Sequence, residues 1–160
     1  MQNRSFWPWL GAVSIAAACL ASTGVAPPRP ETAEKLMRDG NFKDAYQQFR
    51  RLALDPNADK TQVGDSLRRG VDCLNRLGRT DETDAFREKV IEVHSSNWRL
   101  LQAAAQSYMQ GPHFGYIVAG EFHRGGKRGG GRYVDVFQRD RVRALQLMAQ
   151  ALPLVRKEPD

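Results

Sequence analysis

An all-α fold, a stack of antiparallel helix pairs, is what the sequence predicts, on three observations. Apolar residues recur at helical spacing from Glu31 to Val93. Breaks rich in Gly, Pro, Asp and Asn cut that pattern into short segments. Two of the breaks, at Gly40 and Gly78, recur at about the length of one helix-pair repeat. The chain has 160 residues, 41% of them hydrophobic, which suits one modest globular unit and excludes a large multidomain enzyme.

The elements follow in order. Residues 1–26 read as a secretory signal: Arg4 is the only charge, and an apolar run from Phe6 to Ala21 ends in small residues. That run, with Pro8 and Ser14 inside it, is shorter than the ~20 residues a spanning helix needs. Small residues offer cleavage after Ala18, Ala21 or Ala26, with Pro27 disfavouring the last. Ala16-Ala17-Ala18-Cys19 resembles a bacterial lipoprotein box in which Ala16 stands where Leu is usual. The expected location is therefore the periplasm or cell envelope, with membrane attachment if the signal stays or Cys19 is lipidated. Once the signal is removed only Cys73 remains, so no intramolecular disulfide is available and the core must hold the fold. Nothing near Cys73 in sequence is arranged to activate a thiol, and it reads as a small buried side chain.

Residues 27–30, Pro-Pro-Arg-Pro, read as a stiff linker ahead of a helical domain over 31–158. Phe42, Ala45, Phe49 and Leu52 form one apolar stripe, Leu67, Val71, Leu74 and Leu77 a second, and Phe86, Val90 and Val93 a third. A further helix runs from Trp98 through Ala103-Ala104-Ala105 to Tyr108, and another over 140–155, where Pro153 should end or kink it. Leu36, Gly40-Asn41-Phe42, Ala45, Phe49 and Pro56 resemble the tetratricopeptide repeat, as do Trp98 and Leu101 and the Ala144, Met148, Ala151 spacing. Thr83 stands where that family has Ala, and Gly70-Val71 where it has a Leu-Gly pair. The resemblance implies a right-handed stack. Roughly three pairs are the minimum for such a stack, so the uncapped last pair suggests a homo-oligomer or a leading fragment.

Residues 111–139 interrupt the third pair and hold more than half of the 14 glycines. Gly126-Lys127 lacks the earlier Gly and the following Ser/Thr of a phosphate-binding loop, and no buried strand precedes it. His113 and His123 with Glu121 lack the spacing of a metal site, so no metal, cofactor or catalytic residue is expected. Arg124, Lys127, Arg128 and Arg132 outweigh Glu121 and form a candidate polyanion site, with Phe122 and Tyr133 as stacking groups. Export argues against nucleic acid and leaves an anionic glycan, a lipid head group or an acidic protein surface. The favoured reading is a solvated or protein-docking loop, because Tyr116–Ala119 and Tyr133–Phe137 flank it with apolar residues that can pair as a short β-hairpin.

Ile117-Val118-Ala119-Gly120-Glu121-Phe122, Arg128-Gly129-Gly130-Gly131-Arg132-Tyr133-Val134 and Arg139-Asp140-Arg141-Val142-Arg143-Ala144-Leu145-Gln146-Leu147-Met148 resemble the amino-terminal region of bacterial alpha-2-macroglobulin family proteins. Those are exported peptidase inhibitors, and the resemblance implies an accessory fragment. The chain carries no thioester Cys-Gly-x-x-Gln segment, so it implies no trapping activity.

The leading functional expectation is a non-catalytic exported module that binds a protein partner. In a stack of helix pairs the first helices line the concave side, which makes Arg68, Arg69, Asp72, Trp98 and Gln102 the candidate contacts.

Overall fold

Pro30 opens the first helix rather than closing the linker: its fixed φ and missing N–H suit the first helical position, and α1 runs Pro30–Arg38. The computed structural model describes residues 28–126 and 130–158; the signal reading of residues 1–26 lies outside them. Helices α2 (Phe42–Leu54), α3 (Val63–Arg76), α4 (Thr83–Val93) and α5 (Trp98–Gln110) follow, with a 3-10 turn at Thr80–Glu82 before α4. Strands β1 (Phe114–Val118), β2 (Glu121–Arg124) and β3 (Arg132–Asp135) then lead into α6 (Phe137–Val155). The protein is thus mostly helical with one small sheet.

Each interhelical break expected from the sequence falls between two helices. Two of them are the same device. Gly40 (φ 80) and Gly78 (φ 69) each end a helix in the left-handed conformation that a Cβ disfavours. In both, the following amide donates back into the last turn, Asn41 to Leu36 O and Arg79 to Leu74 O, each at 2.9 Å. Asn97 caps α5 by accepting from the amides of Arg99 (3.1 Å) and Leu100 (3.4 Å). Its amide nitrogen donates to Lys60 O at 2.8 Å, tying that cap to the α2–α3 loop.

Helix α1 packs on α2, α2 on α3, α3 on α4 and α5, and α5 on α6. Leu67, Leu74, Leu100, Leu101, Val90 and Leu147 are fully buried in the common core, with Tyr46 and Phe86 edge to face at 5.6 Å. Cys73 is buried with them, and burial pushes its thiol up to about 11. Gly70 in α3 belongs to this packing, because a Cβ there would lie 2.6 Å from the Phe86 ring. The small residue demanded by close helix approach stands one position before the one the repeat pattern suggests.

One stripe residue departs from expectation. Val93, assigned to the third stripe, is 37% exposed. In α6 the buried line is Asp140, Ala144, Leu147 and Ala151, whereas Met148, matched to the repeat spacing along with Ala144 and Ala151, is 40% exposed. Helix α6 also starts at Phe137, inside the segment expected to be loop, and continues past Pro153 to Val155. The ring removes one N–H only two residues from the helix end, where little of the ladder remains to be lost.

The flanks of the glycine-rich segment do pair, Tyr116 opposite Tyr133 and Ile117 opposite Arg132. A third strand was not expected. Strand β2 pairs antiparallel with the other edge of β1, giving the order β2-β1-β3. The β1–β2 turn is Ala119-Gly120, both at positive φ (50 and 88), the pattern of a two-residue type I′ hairpin. Among the described residues no helix is long and apolar enough to cross a membrane.

Ala119 is the one described non-glycine residue with positive φ, a conformation that Asn tolerates far better than Ala. Replacing Ala119 with Asn creates the Asn-Gly turn preferred by this hairpin and should stabilise the protein by about 0.5–1 kcal/mol, read as a higher urea midpoint at unchanged m-value.

Candidate functional site

The residues singled out from sequence separate into three places. Arg68, Arg69 and Asp72, one turn apart on α3, face solvent together. Arg69 pairs with Glu34 of α1 at 2.9 Å, Arg68 with Asp65, and Asp72 with Arg76 at 3.3 Å. With Glu34 and Asp65 they line a depression of about 480 Å³. A second depression of about 180 Å³ shares Arg68 and Asp72 and continues past Asn75 to Ser107 and Gln110 of α5. Together these form a polar trough running from α1 across α3 to the end of α5.

Gln102 lies elsewhere, on the rim of an apolar groove between α5 and α6. Trp98 joins neither surface. It is half-buried against the core, its indole N–H donates to the Glu158 carboxylate, and the Arg99 guanidinium lies 4.3 Å from its ring centre. Arg99 also reaches Glu158 at 2.8 Å, so Trp98 secures the chain beyond α6.

The third place is the glycine-rich segment, where the polyanion reading needs correction. Arg132 is exposed on β3, and Lys127 and Arg128 lie outside the described residues. Arg124 is 2% exposed and does not face solvent at all. Strand β2 aims it at the seam between α4 and α6. There Nη1 and Nη2 grip Asp140 at 2.8 and 2.7 Å, Nε and Nη2 hold Asp84 at 2.8 and 2.9 Å, and Nη1 also donates to Pro112 O at 2.6 Å. A guanidinium has five N–H donors, and this arrangement employs all of them.

Around this pair stands a wider network. Arg87 of α4 is buried, donating from Nε to Ser107 Oγ (2.9 Å), from Nη2 to Ser107 O (2.8 Å) and from Nη1 to Asp84 (3.1 Å). Arg139 reaches Asp84 and Asp140 at 2.8 and 3.1 Å and lies 4.5 Å from the Phe122 ring centre. His113 Nδ1 is 3.0 Å from Asp140. Glu88 accepts from Tyr108 at 2.6 Å and from Arg143 at 2.8 and 2.5 Å, joining α4 to α5 and α6. His94 and His123 have structural partners too: His94 Nε2 is 3.1 Å from Ala53 O, and His123 is 3.9 Å from Asp81.

Burial alone would raise the Asp140 carboxyl, but hydrogen bonds from Arg124, His113 and Arg139 pull it down to about 2. Every described buried side-chain nitrogen or oxygen has a partner. Arg124 itself has no N–H left over for a ligand. Among the described residues no three His, Cys, Asp or Glu side chains converge as a metal site.

No family model, curated protein or solved structure matches the chain.

Sequence reasoning missed this network because its members are far apart in the chain. The only local signal was Asp140 within an arginine-rich stretch at the start of α6.

Two expectations follow. Replacing only Asp140 with Leu leaves the buried Arg124 with Asp84 as its single counter-charge and should cost about 3 kcal/mol, whereas Arg124→Met combined with Asp140→Leu should recover most of that loss in a denaturant-based double-mutant cycle. The lowered Asp140 pKa also ties stability to pH. Its contribution is complete above the unfolded value of 3.8 and disappears as pH falls through about 2. Between those limits about 2 kcal/mol should be lost, seen in an acid titration of the urea midpoint as a component absent from the double variant.

Proposed function

We propose that the chain is a non-catalytic, exported interaction module of the cell envelope, with the polar trough on α1, α3 and α5 as its docking surface. In this reading the six helices form a right-handed stack of three antiparallel pairs, with the sheet inserted in the third. Several contacts support it: α3 touches α5, α2 touches α4, and Arg69 of α3 pairs with Glu34 of α1. The two matching glycine caps at Gly40 and Gly78 support a repeat.

The observation that carries the function is the chemistry of the trough. Arg68, Arg69 and Asp72 carry both signs and are about half exposed, each held by an acid or base of its own chain. Exposed ion pairs contribute about 0–1 kcal/mol, so a partner's charges can replace them with little loss of stability. The buried Arg124 network cannot exchange in this way, because any stranded member would be a desolvated charge. A protein segment bearing both Asp/Glu and Lys/Arg fits the trough. Electrostatic contacts of this type favour rapid, salt-sensitive association.

The test is photo-crosslinking in intact cells, with a photoreactive residue at position 69 or 75 in the trough and at exposed position 47 on α2 as control. One discrete adduct should form from 69 and 75 and not from 47, and should weaken roughly tenfold with Arg68→Glu. Equal adducts from all three positions, or none from the trough, would refute the assignment.

A further inference from the structure

Helix α6 buries one face and leaves a second apolar face open. Val142 is 52% exposed, Leu145 59%, Met148 40%, Leu152 55% and Val155 42%. These residues recur at steps of three and four, which places them along one side of the helix. Beside this ridge lies the groove between α5 and α6, about 420 Å³, lined by Ala105, Met109 and Ala144, with Leu145 and Met148 of the ridge as one wall and Arg141 also lining it.

Three features select the occupant. The ridge reads Val, Leu, Met, Leu, Val, nearly the same in both directions, so an antiparallel copy meets it like for like. With a two-fold axis between Met148 and Ala149, Val142 faces the other copy's Val155 and Leu145 faces its Leu152. Ala149 at the crossing permits close approach of the two helices. No ionisable residue occurs from Ala144 to Val155, so a copy can cover this length without desolvating a charge. Finally, Arg141 at one end and Arg156 at the other confine like charges to the rim.

We infer that the α5–α6 surface is a homodimer interface, formed by antiparallel packing of α6 on α6 about this axis, ridge against ridge. This goes beyond the interaction module proposed for the trough and uses a different surface. The rim cations repel across the axis, so added salt tightens the dimer. An acidic partner helix would show the opposite response.

Sedimentation of the purified chain tests the inference. The expected result is a dimer that strengthens with salt and whose self-association weakens roughly a hundredfold or more on Leu145→Glu or Leu152→Glu, at an unchanged far-UV spectrum. Because both leucines are exposed in the monomer, the variants should fold normally. Ala149→Cys should form an intermolecular disulfide across the axis much faster than Val142→Cys, while mixed Val142→Cys and Val155→Cys chains should form a heterodisulfide. A chain that stays monomeric, a dimer indifferent to both glutamates, equal disulfide rates at 142 and 149, or a monomer that binds anionic vesicles through the α6 face would each overturn it. Trough crosslinks surviving in a monomeric Leu145→Glu chain would separate failure of the dimer from failure of the docking surface.

Discussion

Burying the Arg124 guanidinium is the constraint on which the rest of the arrangement depends. In a poorly polarisable interior an unpaired guanidinium is severely penalised, and Arg124 escapes only if Asp84, Asp140 and the Pro112 carbonyl are all in place. Those partners come from three separate parts of the chain. Strand β2 must therefore pair with β1 in the observed register, with Gly115 opposite Arg124. Helix α6 must enter with Asp140 turned inward, and that rotation decides which of its remaining residues reach the core. A slip of one residue in either element would move a charge away from its counter-charge. The net stability of such a network is modest, but its arrangement is specific, because other registers strand a buried ion.

Helix α6 shows how one buried ion pair propagates. With Asp140 inward, Ala144, Leu147 and Ala151 follow on the same line and meet α5. Leu145, Met148 and Leu152 are thereby turned outward. The apolar ridge is thus a consequence of the charge pair: the rotation that satisfies Arg124 also exposes it. The same logic operates on α4, where Asp84, Arg87 and Glu88 bond to β2, α5 and α6 while Phe86, Val90 and Ile91 fill the core.

The helices were legible in the sequence because periodicity records which face of a local segment is apolar, and because glycine caps such as Gly40 and Gly78 are written at single positions. What escaped depends on distance along the chain. Arg124 looked like one more exposed base of a basic loop, since nothing within its own segment shows that Asp84 and Asp140 will enclose it. Strand β2 escaped for a local reason, because its turn is Ala119-Gly120 rather than an Asn-Gly or Asp-Gly signal. In α6 the repeat spacing picked out Met148, yet Leu147 is the buried residue; when both neighbours are apolar, spacing alone does not settle the phase of a helix. Of the candidate contacts, Arg68, Arg69 and Asp72 came together because they share one helix face, whereas Trp98 and Gln102 share α5 but turn to different neighbours.

Helix α5 lies between the two surfaces and belongs to both. Gln102 and Gln106 rim the apolar groove, Ser107 lines the trough, and Gln110 borders each. The two surfaces have opposite physics: exchangeable charges on one side, and on the other an uncharged ridge whose burial is driven by apolar area. Salt should therefore act on them in opposite directions. The helix between them is held firmly, by Arg87 on Ser107 and by Tyr108 on Glu88. A pinned helix transmits little movement, so any influence of one surface on the other has to pass through the side chain they share. Gln110 is exposed and unbranched, and a copy covering the mouth of the groove would restrict its rotamers at the end of the trough. Coupling of this kind amounts to the freedom of one side chain, so the two surfaces are close to independent in energy although they adjoin in space.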